Sequence, residues 1–471
     1  MNYLVITMPK NLSFFDSIYM GLPTWKSHFL DRDALELSSY LKSNGHEVNY
    51  IPANLIYQIF SSDCEEEMFK EIIQNEFDYL IFCSHYFNEM TSYKTMDNII
   101  EKLISKGICN YNNILMVGKI YDYTNIYHNF SFIGSYERLY EFLISNVNFR
   151  IKEKYESFKY IPSYELISDY LNIVSKNKKR KIMMGLELSN KCPYSCKYCS
   201  TNNVNAEQKF IKIKFLEEEI RLIDKYIGLN LVNFDCILDD SFGYAYDIYL
   251  EYIKLLKAKK INIKYCLMNV NSILSTDILI HMKDFCDCIL IGVETFNEDS
   301  LNKVGKNQNI RDVLKAIQKV KKFGFKTHLN WIVGLPGESI KNMRVNFKVI
   351  AYLMYYGLAD EVEPQLLTVC PWTDLYKNRD EFGIKLINTD YRLYDEQGFI
   401  SSIEYDQISN SELEKVYLLM RLYILRYSNL RTKYTKEDDD VDDIIDELNN
   451  FVTEKNNDIF YKTIGGMNAR F

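Results

Sequence analysis

Nowhere in the 471 residues does an apolar run approach the length of a membrane span. No charged n-region with an apolar h-region opens the chain either; MNYLVITMPK reads as a first strand. There is no basic excess. Lys and Arg number 56 against 64 Asp and Glu, and the net charge of −8 removes any general electrostatic reason to expect a nucleic-acid partner. Neither a membrane nor a nucleic acid is therefore expected as a partner. Without a secretory signal, the eleven cysteines are expected as thiols in a reducing cytoplasm. Residues 381–471 contain none of them, so any thiol site lies upstream.

What is present is ordinary in bulk. A hydrophobic fraction of 47% and a charged fraction of 25% are those of a globular protein, and the length suits two or three domains. The unusual stretch is LSNKCPYSCKYCST, residues 188–201, directly after the apolar run Ile182–Leu188. Cys192, Cys196 and Cys199 offer three soft ligands from one short loop, which suits zinc or an iron–sulfur cluster. A closed structural zinc site wants a fourth Cys or His at short spacing, and none follows before Cys236. A [4Fe–4S] cluster can be held through three irons, with the fourth open to a small molecule. The bland alternative is three small buried apolar residues.

The CxxxCxxC spacing, with Tyr198 just before the last thiol, resembles the cluster loop of the radical S-adenosylmethionine (radical SAM) superfamily. The resemblance implies that Cys192, Cys196 and Cys199 hold a [4Fe–4S] cluster and that its open iron chelates S-adenosylmethionine. It further implies that an electron from the cluster cleaves the sulfonium, and that the resulting 5′-deoxyadenosyl radical takes a hydrogen atom from substrate carbon. Such an enzyme needs a reducing partner such as flavodoxin or ferredoxin.

Four regions are expected: 1–145, an α/β domain; 146–181, a linker; 182–380, a partial (β/α)6 barrel; and 381–471, mainly helical. In the first region, strands at Tyr3–Thr7, Val48–Pro52, Asp78–Cys83, Asn113–Gly118 and Phe130–Gly134 alternate with helical patterns, which argues a doubly wound parallel sheet. DRDALELSSYLKSNGHEVNYI and NFSFIGSYERLYEFL resemble the cobalamin-binding domain that precedes the barrel in one branch of radical SAM enzymes, so cobalamin is a candidate cofactor. Three features depart from that branch. There is no DxHxxG signature, Pro9 is followed by Lys10 rather than a second proline, and Gly118-Lys119-Ile120 stands where two glycines usually make room for the nucleotide tail. His85, after the third strand, is a candidate contact to cobalt or substrate, or else a hydrogen-bonded loop residue. The run KNKKRK, Lys176–Lys181, reads as a solvated part of the linker.

In the barrel, chemistry is expected at the carboxyl ends of the strands. Strands are expected at Ile182–Leu188, Asn233–Leu238, Ile263–Val270, Cys288–Val293, His328–Val333 and about Glu361–Val369. After the second, Asp239-Asp240-Ser241-Phe242 resembles the family segment that receives the methionine ammonium, although an acidic turn is the plain alternative. Asn271 stands where the branch often has a polar residue facing the ribose. GVETFNEDSLNKVGK resembles the family's GxEs…sl…GK segment, with Glu294 aimed at S-adenosylmethionine or else capping the next helix. GLPGES resembles the adenine-side loop, with Gly334 and Pro336 facing the base. After the sixth strand, Cys370 replaces part of the branch's P-x-P-G-T string. It is a candidate hydrogen-atom donor to a substrate radical, or a small buried residue.

Leu413–Tyr427 reads as an amphipathic helix packed on the barrel, and Glu437–Asp443 as the acidic start of another or as a dock for a basic leader peptide. Cys286 and Cys288 share one face of their strand, which does not make a second cluster site. The leading reading is an enzyme that modifies a ribosomal peptide, resembling the radical SAM peptide epimerases. The alternatives are a cobalamin-dependent C-methyltransferase acting on a peptide or small natural product, and a non-catalytic scaffold.

Overall fold

The computed structural model describes residues 1–7, 31–53, 56, 64–84, 92–118, 131–133, 158–168, 170, 182–201, 208–370, 373–389, 400–427, 434, 436 and 439–453. Pro9, Lys10, His85, Lys119, Ile120 and the basic run 176–181 fall outside them.

The first sheet is built from β1 (Asn2–Thr7), β2 (Glu47–Ile51), β3 (Tyr79–Ser84), β4 (Ile114–Gly118) and β5 (Ser131–Ile133), each within about two residues of its expected position. All its pairings are parallel and the order is β2-β1-β3-β4-β5. Leu4, Val5 and Ile6 of β1 and Leu80, Ile81 and Phe82 of β3 are wholly buried, as strands covered on both faces require. The order reverses between β1 and β3, so the carboxyl ends of these two strands, at Thr7 and Ser84, form the switch point where such sheets take ligands. Small residues stand there, with Gly118 beside Ser84 in register.

The helix Arg32–Ser43 begins at Asp31, whose carboxylate accepts from the amide of Ala34, and ends before Gly45 at φ +80°. Its polar residues Arg32, Asp33, Glu36 and Ser38 are buried. The Arg32 guanidinium pairs with Glu36 one turn on and with Glu219 of the helix Ile213–Tyr226. Glu36 also accepts backbone amides from Phe158, Lys159 and Tyr160, at 3.1, 2.5 and 2.8 Å, and Arg32 lies 4.7 Å above the Phe158 ring. Arg32, Glu36 and Glu219 are all nearly inaccessible to water, so the Arg32 charge stands there only because two carboxylates face it.

The second sheet holds β6 (Ile182–Leu186), β7 (Val232–Ile237), β8 (Ile263–Met268), β9 (Cys286–Glu294), β10 (Lys326–Val333) and β11 (Glu361–Leu366), in simple consecutive order. Pairings between β6 and β7 and along β8, β9, β10 and β11 are parallel, and helices connect the strands, which makes an open (β/α)6 arrangement. Some strands end earlier than their apolar runs suggest. β8 stops at Met268 because Asn269 caps the helix Val270–Ser275. β6 stops at Leu186 because the next amides are captured by a side chain described below. After the barrel the described residues include the helices Asn410–Tyr427 and Val441–Thr453. Leu413, Tyr417, Met420 and Ile424 of the first are buried at helical spacing. Asp442 and Asp443 stand in the first turn of the second.

By packing, the described residues fall into two compact units. One takes those of 1–192 and 200–239; the other takes those of 193–199, 240–389 and 395–471. The Arg32–Glu219 pair therefore lies inside one unit and joins the first sheet's helix to the helix that follows β6.

Removing one member of a buried pair leaves an uncompensated charge. Arg32→Met should lower stability in urea unfolding by about 3–5 kcal/mol. A loss below about 0.5 kcal/mol, the size of a neutral surface change, would show that the pair contributes little.

Candidate active site

The cluster loop begins with a tether. The buried Asp239 carboxylate, at the end of β7, accepts the amides of Leu188 at 2.7 Å and Ser189 at 3.0 Å through Oδ1. These are the amides that would otherwise extend β6. Asp239 thus turns the chain out of the sheet immediately before the cysteines. Asp240, next to it, is exposed, and Ser241 is buried.

Further along the loop, the Lys197 amide donates to the Val304 carbonyl at 2.8 Å and its own carbonyl accepts from the Leu375 amide at 3.0 Å. Segments after β9 and β11 therefore hold the middle of the loop from both sides. Gly305, at φ +69°, lies against the Ser195 carbonyl, where a Cβ would come to 3.7 Å. Cys192, Cys196 and Cys199 are all partly exposed. Cys83, Cys109, Cys236, Cys266, Cys286, Cys288 and Cys370 are buried, and burial pushes the Cys286 thiol up to about 12. The motif thiols are thus set apart from the packing thiols, which fits ligands and not small core residues. Among the described residues no three His, Cys, Asp or Glu side chains converge on a point that one metal ion could occupy. Three partly exposed thiols on one short loop are soft donors of the kind that hold an iron–sulfur cluster.

Beside the loop stands Glu294, at the end of β9. Its φ is +67°, and the Thr295 amide donates back to the Val293 carbonyl at 2.9 Å. Glu294 is therefore the centre of a γ-turn of the left-handed kind, which is rare and strained for a residue with a Cβ. The turn coincides with a register shift between β9 and β10, where Trp331 pairs with Glu294 and Val293 is passed over.

Several groups hold it. Lys306 Nζ pairs with Glu294 Oε1 at 2.6 Å and lies 3.4 Å from the Tyr198 hydroxyl. Burial alone would lower the Lys306 pKa, but Glu294 and the nearby thiols raise it, so the lysine is charged. The pair needs space that only glycine leaves, since a Cβ on Gly292 would come within 2.5 Å of Glu294 Oε1 and 2.8 Å of Lys306 Nζ. The side-chain Nε2 of Gln308 donates to the carbonyls of Gly292 and Val293, each at 3.1 Å. Phe296 stacks on buried Trp331 at 5.6 Å, and its amide donates to Asn346 Oδ1 at 3.0 Å.

Glu338 joins this turn to the next loop. Its Oε1 accepts from the Thr295 hydroxyl at 2.6 Å and from Asn346 Nδ2 at 3.0 Å; its Oε2 accepts the amides of Gly334 and Leu335 at 3.3 and 3.2 Å. Gly334 and Gly337 take φ of +91° and +88°, and Pro336 is buried between them. The GLPGES loop is thus fastened to the Glu294 turn through one carboxyl group.

The other expected site residues fall as follows. Asn271 is exposed in the first turn of its helix and donates to the Asn307 carbonyl at 3.3 Å. Glu294 caps nothing; Asn297 caps the following helix. Cys370 is buried at 2% exposure, and its carbonyl accepts from both the amide and the hydroxyl of Thr373. Lys306, Gln308, Glu338 and Asn346 were not singled out from the sequence, although the quoted string ends on Lys306.

Residues 186–348 match the family model of the radical SAM superfamily. This segment is a radical SAM domain. Such a domain implies a [4Fe–4S] cluster and S-adenosylmethionine as its cofactors. An uncharacterized methyltransferase of Pyrococcus horikoshii is 22% identical over 191 residues, which is 40% of this chain and 40% of that protein. The chain thus matches under half the length of this relative. Among solved structures, the radical SAM methyltransferase TsrM of Kitasatospora setae, with cobalamin and a [4Fe–4S] cluster bound, superposes with a TM-score of 0.59 at 11% identity, over 90% of this chain and 88% of that one. The cobalamin-dependent radical enzyme OxsB gives 0.53 at 14% identity, over 81% and 56%. At these identities the likeness is one of fold: the radical SAM domain here is preceded by a sheet of the same kind. No helix among the described residues is long and apolar enough to cross a membrane.

Burial raises the Glu338 carboxyl to about 7, against the hydrogen bonds that favour its charge. A carboxyl raised in the folded state adds stability fully present below its ordinary range, and loses it as pH rises through about 7. Thermal stability should therefore fall between about pH 5 and 8, by up to roughly 3 kcal/mol. Glu338→Gln, which mimics the protonated group, should flatten that slope. An unchanged slope in the variant would assign the pH dependence elsewhere.

Proposed function

We propose that the protein is a cobalamin-dependent radical SAM methyltransferase acting on carbon of a peptide or small natural product. The observation that carries this reading is the joint presence, in one chain, of a parallel sheet in the order β2-β1-β3-β4-β5 and a radical SAM domain. Thr7, Ser84 and Gly118 at the strand ends suit a ligand at the switch point. The Pyrococcus relative and TsrM, both named as methyltransferases, support the same outcome.

In this proposal Cys192, Cys196 and Cys199 hold the cluster. Cluster and S-adenosylmethionine supply one-electron cleavage of a sulfonium, cobalamin supplies a methyl carrier, and an external reductant supplies the electron. The residues of this chain bind and orient. Glu294, paired with Lys306, accepts hydrogen bonds from S-adenosylmethionine. Asp240 receives the methionine ammonium, while Asp239 holds the loop. Gly334 and Pro336 let backbone approach the adenine.

Epimerisation of a peptide α-carbon is the second reading, with Cys370 returning the hydrogen atom. The burial of that thiol favours methyl transfer.

Two experiments test the proposal. Replacing Cys192, Cys196 and Cys199 together by Ala should remove iron and its visible absorption and end 5′-deoxyadenosine formation, with the protein still soluble. Reductive cleavage by the triple variant would refute the cluster assignment; no iron in the reconstituted parent would favour a scaffold. Cobalt content after growth with cobalamin should be about one per chain. Absence of cobalt, together with deuterium at a product α-carbon after turnover in heavy water and its loss in Cys370→Ala, would replace methyl transfer by epimerisation.

A further inference from the structure

Glu294 is placed by a backbone conformation that its own residue type disfavours. A γ-turn at φ +67° on a residue with a Cβ lasts only where surrounding bonds over-determine it. The Thr295-to-Val293 bond closes the turn but cannot choose it, because the same two residues could continue as ordinary strand. Continuing the strand would return Val293 to the ladder with β10, from which the register shift removes it. What distinguishes the observed arrangement is the group that receives the displaced carbonyls.

That group is the Gln308 side chain. It is 9% exposed, and its Nε2 lies 3.1 Å from both the Gly292 and the Val293 oxygens. Only an NH2 can face two carbonyls, so the chemistry fixes which end of the amide points where. Its Oε1 has no hydrogen-bond partner among the described residues. Burying an amide at that cost is reasonable only if its donor end is needed where it is. Gln308 is held by a tight turn of its own, with its amide donating to the Lys306 carbonyl at 2.7 Å, and the carbonyl of the intervening Asn307 accepts from Asn271. Three successive residues thus act on one turn: Lys306 on the Glu294 carboxylate, Asn307 as the anchor, and Gln308 on the backbone beneath.

We infer that Gln308 is a positioning residue for S-adenosylmethionine binding, acting through Glu294 by holding the left-handed turn that aims its carboxylate. This rests on the reading of Glu294 as a contact to S-adenosylmethionine. It predicts a thermodynamic coupling that a role in general packing would not produce. If Gln308 works only through Glu294, its loss matters only while the Glu294 carboxylate is present.

The test is calorimetric titration of S-adenosylmethionine into cluster-loaded protein: parent, Gln308→Leu, Glu294→Ala and the double variant. Iron content and visible absorption should match the parent in all four. Gln308→Leu should weaken binding about ten-fold, the change expected for one or two lost hydrogen bonds. In the Glu294→Ala background the same substitution should change affinity less than about two-fold. Gln308→Glu, which keeps the volume and loses the donor, should reproduce the first loss should the leucine variant not fold. Unchanged affinity in the Gln308 variants, or a full ten-fold loss added to that of Glu294→Ala, would overturn the inference while leaving the binding site standing. Parent-like affinity in Glu294→Ala alone would instead remove the reading on which it rests.

Discussion

A strained turn at Glu294 sets the terms for much of the barrel's upper rim. A carboxylate at the end of an ordinary strand would stand out from one face of the sheet, its direction fixed by alternation. The turn at φ +67° breaks that alternation and brings the carboxylate onto Lys306. Everything packed around it is arranged to make the conformation cheaper. Gly292 gives room for the ion pair, Gln308 takes the carbonyls, Asn346 takes the Phe296 amide, and Trp331 supports the ring that follows. Strain of this kind persists where function needs a side chain in a place regular structure does not offer.

Carboxylates recur as couplers between a strand end and the loop beside it. Asp239 at the end of β7 takes the amides that would prolong β6, and so starts the cluster loop. Glu338 takes the Thr295 hydroxyl on one oxygen and the amides of Gly334 and Leu335 on the other. Glu36 does the same in the first unit, gathering three amides while it pairs with Arg32. Each replaces ladder or helix bonds that are lost where the chain leaves regular structure. His328 is a different case. It lies at the amino-terminal half of β10 between Glu361 and Glu363, whose carboxylates raise it to about 9 against burial, and so it neutralises charge away from the strand ends.

The alternation of strands and helices was legible because it is written in local apolar runs. Ten of the eleven parallel strands lie within about two residues of the apolar segments that suggested them, and β11 ends three short of its expected end. Their order was legible in outline too, because consecutive βαβ units allow few arrangements. The ends of strands were less so, since they depend on partners remote in sequence. Nothing near Leu188 announces that Asp239, 51 residues on, will claim its amide. Arg32 and Glu219 stand 187 residues apart, and neither carries a local sign of the other. The roles of Gln308 and Glu338 were hidden for the same reason: an amide or a carboxyl group acquires meaning only from the backbone it faces.

The three motif cysteines show what a sequence can and cannot settle. Spacing alone allows ligands or core residues. The fold sets the three apart by exposure, since every other cysteine whose side chain is described is buried and these are only partly so. Cys370 falls on the packing side of that line, although it stands beyond the end of β11, where substrates are met in such barrels. Position at a strand end therefore does not by itself expose a group in this chain. The neighbouring backbone must also leave the group accessible, and at Cys370 the capping bonds to Thr373 close the segment over its own carbonyl. At Cys192, Cys196 and Cys199 the tether at Asp239 and the two bonds to Lys197 do the opposite, fixing the backbone of the loop while leaving its thiols outside the core.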